Sequence, residues 1–243
     1  MPKFFVPKTQ IADTAAVIRG DDARHIARSL RMAVGETVRV CDGEGTEYLC
    51  RLSSIRDEEV QAEILSAEPS KTEPPYRLCV FQALVKGDRM DTALQKSVES
   101  GATEFIPFSS SRCIVKIRED GGNRDTRRRK IAAEAAMQSG RGVLPRVAEP
   151  VSFDAMLAQA AACDLALFCY EDEQTRLLGG VLPEKTPASV AVVIGPEGGF
   201  SPEEARKAEE AGLLPVSLGR RILRTESAAP FVLACLALKY ELE

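Results

Sequence analysis

Two short segments of the chain hold the residues best suited to bind a ligand and act on it. The first, Gly195-Pro196-Glu197-Gly198-Gly199-Phe200, has three glycines, which let a ligand approach backbone N–H and C=O groups, and one carboxylate. The second, Leu218 to Ala228, contains three arginines, Arg224 among them, and the carboxylate of Glu226. Glycine turns expose backbone hydrogen-bonding groups and guanidinium groups stabilise negative charge, so the two segments predict a site for a polar or anionic ligand.

The elements around the first segment place it at the end of a strand. The apolar run Val190 to Ile194 predicts a buried strand, and Ser201 and Glu204 form a capping box that starts a helix. Ligands of open α/β sheets bind outside the carboxyl ends of strands. An ordinary strand–helix turn needs one glycine, whereas Pro and Glu between three glycines favour a binding loop. Neither the dinucleotide pattern nor the P-loop pattern occurs in the chain.

The second segment lies between another apolar run, Leu213 to Ser217, and a final helix rich in apolar residues. We expect Thr225 or Ser227 to cap this helix, whose N-terminus can bind an anion or a polar group. The alternative is a basic surface loop. Because Ile222 and Leu223 interrupt the arginines, we expect the segment to be half-buried instead.

Composition describes an ordinary globular protein. The chain has 243 residues, of which 44% are hydrophobic and 28% charged, and its net charge of −4 argues against a generic polyanion binder. From Arg112 to Lys130, however, there are eight Lys/Arg and three Asp/Glu. This run is either a solvated helix face or a patch that contacts phosphates, and the residues alone favour neither.

Cysteine and histidine usage indicates the compartment and excludes common metal sites. The seven cysteines form no C-x-x-C pair and several lie in apolar runs, which is typical of a reduced cytoplasmic protein. His25 is the single histidine, so the usual zinc spacings are absent and we expect no metal. We also expect no secretory signal and no membrane-spanning segment.

The chain divides into two predicted domains at a proline-rich linker, Glu68 to Pro75. Residues 1–72 alternate with period two around the turn Gly43-Glu44-Gly45, which predicts a small β domain with one helix from Asp22 to Met32. In residues 73–243 strands and helices alternate, which predicts a doubly wound α/β fold with a mostly parallel sheet.

Several ordered motifs resemble the knotted SPOUT methyltransferases and, within them, the RsmE family of small-subunit ribosomal RNA uridine-N3 methyltransferases. The two segments above carry most of the resemblance. Further matches are Phe4-Phe5-Val6, His25-Ile26, Leu30-Arg31, Gly35, Lys86 to Asp91, Gln95-Lys96, Glu99 to Gly101, Gln138 to Arg141 and Pro145. The chain departs from the family pattern at Ser100, where Leu is common, and at Ser227, where Thr is common.

The resemblance implies a fold and a reaction. Residues 1–72 would form a PUA-like β-barrel that binds RNA, and residues 73–243 a SPOUT α/β domain with a C-terminal trefoil knot. S-adenosylmethionine would donate a methyl group to N3 of a specific uridine in 16S ribosomal RNA of the small (30S) subunit, without a metal. The enzyme would be cytoplasmic and a homodimer that pairs through the final helix, Ser227 to Leu242.

The resemblance also implies roles for individual residues. Arg224 would stabilise the developing uracil anion, and Glu226 would act as a base or orient Arg224; its alternative role is a favourable charge in the first turn of a helix. The implied cofactor-binding residues are Phe168, Ile194, Gly195, Glu197, Gly199, Leu218, Gly219, Ile222 and Leu223. The implied RNA-binding residues are Arg31, Arg112, Gln138 and Arg141, of which the last two have a structural alternative at a helix end.

Two other functions remain open at this stage. One is a SPOUT enzyme that methylates a ribose 2′-hydroxyl of another RNA. The other is an RNA-binding protein without catalysis, which keeps the glycine turn for structural reasons alone; the intact turn disfavours it.

Overall fold

The computed structural model describes residues 1–117 and 122–242 and divides the chain into two compact units. The first unit comprises Met1–Glu73 and Ala136–Leu144, and the second comprises Pro74–Ala135 and the chain from Pro145 onward. The division after Glu73 thus lies within the predicted linker, Glu68 to Pro75. The segment Ala136–Leu144 is an addition that a linear division at 72/73 does not contain.

The first unit is built on a five-stranded sheet in the order β1-β3-β4-β5-β2 that curls into a half-barrel. Its strands are β1 (Lys3–Phe5), β2 (Ala15–Arg19), β3 (Thr37–Cys41), β4 (Thr46–Ile55) and β5 (Glu59–Pro69). Every second side chain of a strand points into its core, as Val38 and Val40 of β3 do, and both are fully buried. Gly43-Glu44-Gly45 forms the turn between β3 and β4, as predicted.

The helix of the first unit ends earlier than the sequence predicts. Helix α1 (Asp21–Arg24) continues as a π-helical turn over His25–Ser29, and Met32 lies outside it. The reason is Arg31, whose φ of 51° is left-handed and directs the chain out of the helix. Ile26 is fully buried in the half-barrel core, so the turn still presents its apolar face inward.

The second unit contains a six-stranded sheet in the order β11-β9-β10-β6-β7-β8, in which every neighbouring pair is parallel. This confirms the predicted α/β class. The strands are β6 (Arg77–Ala83), β7 (Glu104–Phe108), β8 (Arg146–Val147), β9 (Leu165–Cys169), β10 (Ser189–Ile194) and β11 (Leu214–Val216). The central strand β10 is almost wholly apolar and buried, as parallel strands covered on both faces require.

The helices that accompany these strands are α2 (Arg89–Glu99), α3 (Gly122–Gln138, whose last residues belong to the first unit), α4 (Phe153–Ala161), α5 (Leu178–Val181), α6 (Pro202–Glu210) and α7 (Thr225–Tyr240). Of these, α4, α6 and α7 contact strands of the sheet. Side chains of α4 and α6 share a core with Phe168, Val193 and Phe200, while α7 packs against α2 and β10. Ser201 and Glu204 form the predicted capping box at the start of α6.

None of the helices in the described parts of the chain has the length and apolar character needed to cross a membrane. The trefoil knot stays a prediction.

Candidate active site

A pocket of about 800 Å³ lies in the second unit where β9, β10 and β11 end. The carboxyl ends of parallel strands meet at one edge of a sheet, so the segments that follow these strands converge there. The walls are drawn from Cys169 to Leu177, from Ile194 to Phe200 and from Ser217 to Ala228, with Arg89 of α2. The two segments that the sequence singled out therefore form opposite parts of one pocket.

Gly199 must be a glycine in this turn. Its φ of 64° is left-handed, and an added Cβ would collide with the carboxylate of Glu171 across the pocket. Its N–H donates a 3.0 Å hydrogen bond to the carbonyl of Pro196, which closes the turn. The absence of a side chain at Gly199 therefore lets the Glu171 carboxylate lie directly against the turn.

Gly195 is held by two contacts. An added Cβ would lie 3.1 Å from the ring of Phe200, and its carbonyl accepts a 2.7 Å hydrogen bond from the hydroxyl of Thr225. The carbonyl is thus already used within the protein. This limits the predicted role of Gly195 in reading a ligand to its remaining backbone surface.

Glu197 lies on the pocket wall and is ion-paired. Its Oε1 is 3.0 Å from Nη1 of Arg89, the first residue of α2, and 3.4 Å from the backbone N of Lys86. The pair fixes the carboxylate within the turn while the glycines on either side leave the backbone open.

The start of α7 differs from the prediction. Its N-cap is Arg224, without any side-chain cap, so neither Thr225 nor Ser227 caps the helix. Thr225 is buried, and its hydroxyl donates a hydrogen bond to the carbonyl of Gly195, just after β10, rather than accepting one from an N–H group of α7. Arg224 is exposed and lines the pocket.

Glu226 lines the same pocket and has one buried carboxylate oxygen. Its Oε2 has no hydrogen-bond partner among the described residues, although it is shielded from solvent. An unpaired buried acceptor costs about 1–3 kcal/mol, and such groups are found where a ligand or function compensates for them. Arg224 and Glu226 therefore offer a guanidinium and a free carboxylate oxygen, two residues apart, at one wall.

The loop before α7 is more exposed than expected. Ile222 is 87% exposed and only Leu218 and Leu223 are half-buried, so the prediction of a half-buried segment is wrong for Ile222. The reason is that β11 ends at Val216, and the loop that follows forms the open rim of the pocket. Gly219, with a φ of 101°, turns the chain along this rim.

Phe168 is not part of the pocket wall, which corrects its predicted role. It is fully buried, and its ring centroid is 4.1 Å from that of Phe200 in the core beneath the pocket. Side chains of a strand alternate, and this one points to the core that α4 and α6 share. Cys169 and Tyr170, the next residues along the chain, line the pocket instead. Their position at the carboxyl end of the apolar run Leu165 to Cys169 was the signal that could have identified them.

Arg112 lies beside the glycine turn, although outside the pocket. Its Nη1 donates a 2.9 Å hydrogen bond to the carbonyl of Gly198. The backbone N of Ser111, the preceding residue, donates to Oε1 of Glu204 at 2.8 Å. The loop that carries Arg112 is thus attached to the turn itself, at Gly198, and to the first turn of α6, at Glu204.

The other predicted RNA contacts belong to the first unit. Arg31 and Gln138 are exposed. Arg141 is 2% exposed and its guanidinium is paired with Glu73 at 2.5 Å, so it is not available to a nucleic acid and that prediction is wrong. The same carboxylate accepts hydrogen bonds from the backbone of Gly142 and Val143, which makes Arg141 a structural residue of this unit.

The basic run Arg112 to Lys130 is partly neutralised by neighbouring carboxylates. Arg127 lies 2.6 Å from Asp91, and Arg128, which is buried, lies 3.1 Å from Asp125. Residues 118–121 of the run lie outside the described residues. In the described part of the run every basic residue except Arg128 is exposed: Arg112, Lys116, Arg124, Arg127, Arg129 and Lys130.

Two protein-family models match the chain and identify its class. The family model "RNA methyltransferase domain" matches residues 72–237, and the family model "RNA methyltransferase PUA domain" matches residues 18–65. The α/β unit with its strand-end pocket, preceded by the half-barrel, is accordingly that of an RNA methyltransferase.

Individual relatives narrow the class to one family. The chain is 31% identical to ribosomal RNA small subunit methyltransferase E of Bacillus subtilis, over 100% of this chain and 98% of that protein. It also resembles, at 32% identity and a TM-score of 0.88, the crystal structure of a ribosomal RNA small subunit methyltransferase E from Neisseria gonorrhoeae bound to S-adenosyl methionine, covering 98% and 97% of the two chains. A putative methyltransferase from Legionella pneumophila, in complex with the bound cofactor SAM, matches at 31% identity and a TM-score of 0.85, over 97% and 96%. The chain belongs to the ribosomal RNA small subunit methyltransferase E (RsmE) family, which confirms the resemblance found in the sequence.

Proposed function

We propose that this protein transfers a methyl group from S-adenosylmethionine to N3 of a uridine in the 16S ribosomal RNA of the small subunit. The observation that carries the proposal is a pocket lined by the glycine turn, by the exposed Arg224 and by Glu226, whose buried Oε2 has no hydrogen-bond partner among the described residues. Family membership supports the substrate class, and the gonococcal relative bound to S-adenosyl methionine supports the cofactor.

The residues of the pocket fit this cofactor. The cavity of about 800 Å³ is large enough for a nucleoside-sized ligand, and Gly199 and Glu171, which lie against each other, both line it. Ile194, Leu218 and Leu223 offer apolar surface for an adenine ring, with Gly219 allowing close approach along the rim. Ile222, which is exposed at the rim of the pocket, would contact the cofactor from there.

Charged groups of the pocket complement the rest of the cofactor. Glu197, held by Arg89, provides negative charge for its cationic groups. When bound, S-adenosylmethionine supplies an electrophilic methyl group on a sulfonium.

Arg224 and Glu226 would act on the uracil ring. Neutral uracil N3 is a poor nucleophile, and losing its proton puts negative charge on the flanking carbonyl oxygens. The Arg224 guanidinium would stabilise that charge as a preorganised donor. Glu226 Oε2, which lacks a partner among the described residues, would accept the N3 proton. A favourable interaction of Glu226 with the first turn of α7 is the competing explanation of its position.

The first unit would bind RNA as a PUA domain, over residues 1–72 as divided from the sequence. Arg31 is exposed in a left-handed turn, next to Leu30, which is 40% exposed. Gln138 adds an exposed amide in the same unit, and in the second unit Arg112 lies beside the glycine turn. These three are the proposed RNA contacts, and the substrate implies action in the cytoplasm.

We further propose a homodimer that pairs through α7. Val232, Leu233 and Leu236 are buried within the unit, whereas Phe231 and Leu238 on the same helix are 36% and 59% exposed. Exposed apolar side chains on a helix that is otherwise covered favour a partner surface.

Nucleoside analysis of ribosomal RNA tests the reaction. Small-subunit RNA from cells that lack this protein should lose 3-methyluridine, and the purified protein should restore it. Loss of a 2′-O-methylated nucleoside instead would favour the ribose-methylating alternative. Calorimetry with S-adenosylmethionine addresses the non-catalytic alternative, since a protein that kept the turn only for structure would give no binding isotherm.

A further inference from the structure

A chain of buried hydrogen bonds links the centre of the sheet to the start of α7. Nε2 of Gln82 donates to Oγ1 of Thr225 at 2.8 Å, and the Thr225 hydroxyl donates to the carbonyl of Gly195 at 2.7 Å. Gln82 is fully buried and Thr225 is 7% exposed. Gln82 is in β6, Gly195 directly follows β10 and Thr225 is the first residue of α7, so the chain of hydrogen bonds joins segments that are far apart in sequence.

Burying the polar side chain of Gln82 at its position is energetically unfavourable. It lies in β6 opposite Ile194 of β10, where apolar side chains dominate, and its Oε1 has no partner among the described residues. An apolar residue of similar size would avoid leaving a buried acceptor unpaired. The presence of a glutamine here is explained if the hydrogen bond from its Nε2 to Thr225 serves a function that outweighs this loss of stability.

Thr225 lies between the two residues assigned to catalysis. Arg224 is the N-cap of α7 and Glu226 is in its first turn, and Arg224, Thr225 and Glu226 all line the pocket. Because no side chain caps α7, the Thr225 hydroxyl provides a side-chain attachment of this helix start to the end of β10. Gln82 in turn orients that hydroxyl, since its N–H occupies the acceptor side of Oγ1 and leaves the proton to point at Gly195.

We propose that Gln82 and Thr225 are positioning residues, which fix the start of α7 against the glycine turn and thereby set where Arg224 and Glu226 lie in the pocket. The proposal rests on the proposed function for its catalytic consequence, because it assumes that Arg224 and Glu226 act on the substrate. Its structural part, the attachment of α7, stands independently of what the enzyme methylates.

Matched substitutions separate positioning from packing. Thr225→Val keeps the shape and removes the hydroxyl, whereas Thr225→Ser keeps the hydroxyl. We expect Thr225→Val to lower kcat about 10²-fold, the effect of misplacing reacting groups by about 1 Å. The dissociation constant of S-adenosylmethionine should rise less than about tenfold, since one neutral hydrogen bond is lost. Thr225→Ser should restore most of kcat. Ser97→Ala, which removes a buried hydroxyl without a partner among the described residues, should match the wild type.

A double-mutant cycle tests the role of Gln82. Gln82→Leu should lower kcat as Thr225→Val does, and the double variant should be no worse than the poorer single one, because both break one chain of hydrogen bonds. If the two losses multiply, Gln82 does not act through Thr225 and the proposal fails. It also fails if Thr225→Val keeps wild-type kcat, or if Thr225→Ser is as impaired as Thr225→Val. If Thr225→Val does not fold, the test is the kcat of Gln82→Leu compared with that of Ser97→Ala. The proposal fails if the two are equal.

Hydrogen exchange provides a measurement that does not depend on the reaction. Amides of Thr225 to Ala229 should exchange faster in Thr225→Val and Gln82→Leu than in the wild type and in Ser97→Ala. If wild-type protein does not methylate uridine N3 but the exchange pattern holds, the proposed function fails while the attachment of α7 stands. Unchanged exchange in both variants overturns the positioning proposal whatever the activity.

Discussion

Ser111 donates its backbone N–H to Oε1 of Glu204 at 2.8 Å, while the other oxygen of the same carboxylate accepts the backbone N–H of Ser201 at 2.9 Å. One buried side chain therefore caps α6 and also holds the loop that brings Arg112 to Gly198. The glycine turn is fixed from outside the pocket by this carboxylate.

This arrangement predicts a pH dependence of stability. Burial raises the pKa of Glu204, but the hydrogen bonds from Ser111 and Ser201 outweigh it, so the pKa lies below its ordinary value of 4.5. A carboxyl whose pKa is lower in the folded state stabilises the fold fully above pH 4.5, and this stabilisation is lost as the pH falls through the folded pKa. Glu204→Gln should lower Tm at pH 7, and the difference from wild type should shrink below pH 4.5.

The control is Glu203→Gln, which changes an exposed carboxylate in the same helical turn. Thermal unfolding followed by circular dichroism from pH 3 to pH 8 gives both comparisons. Equal behaviour of the two variants would mean that Glu204 contributes no more than any charge near a helix N-terminus.

Substitution of Gly199 should remove cofactor binding without unfolding the protein. Gly199→Val places a branched side chain at a left-handed position and against the carboxylate of Glu171, and both residues line the pocket, so the pocket wall must rearrange. We expect the dissociation constant of S-adenosylmethionine, measured by calorimetry, to rise at least tenfold, a loss of about 1.4 kcal/mol.

Gly212→Val is the matched control, because Gly212 has a φ of 89° but nothing within 4 Å of an added Cβ, and it does not line the pocket. Both variants carry the same kind of backbone strain and should lose similar amounts of stability. Equal cofactor affinities in the two folded variants would exclude the glycine turn from the site.

Arg224→Ala should lower the rate of methylation much more than it lowers cofactor affinity. The guanidinium is assigned to the charge that develops on uracil, and one preorganised donor of this kind is worth about 2.7–4 kcal/mol of transition-state stabilisation. Single-turnover rates with saturating cofactor give this number, and Arg206→Ala on α6, an exposed arginine paired with Glu210, is the control. A parallel loss of rate and cofactor affinity would reassign Arg224 to the cofactor site.

How much of this could be predicted from the sequence depends on how local the determining interactions are. The parallel sheet and the capping box at Ser201 were predicted correctly, because apolar runs and N-cap residues act over a few neighbouring positions. The turn at Gly195–Phe200 was located for the same reason. These features together define the pocket and its two main walls.

The errors concern residues whose environment is set by distant partners. The strand pattern of Phe168 is the same whether its side chain faces the pocket or the core. Only its contact with Phe200 shows that it faces the core. Arg141 is a residue type that often contacts RNA. In the structure its guanidinium instead pairs with the carboxylate of Glu73, which lies 68 residues away in the sequence. Thr225 looked like a helix cap because Gly195, 30 residues earlier, was not known to be its partner.

The quaternary structure is the last prediction. Phe231 and Leu238 are the exposed apolar residues of α7 that would lie at the proposed interface. Light scattering at micromolar concentration should give about twice the chain mass of 26.4 kDa for the wild type. Leu238→Glu should shift the protein toward the monomer, because burying an unpaired charge in an apolar interface is unfavourable. Leu65→Glu, which alters an apolar residue of β5 that is 39% exposed, is the control and should leave the mass unchanged. A 26.4 kDa wild-type particle that still methylates RNA would refute the obligate dimer.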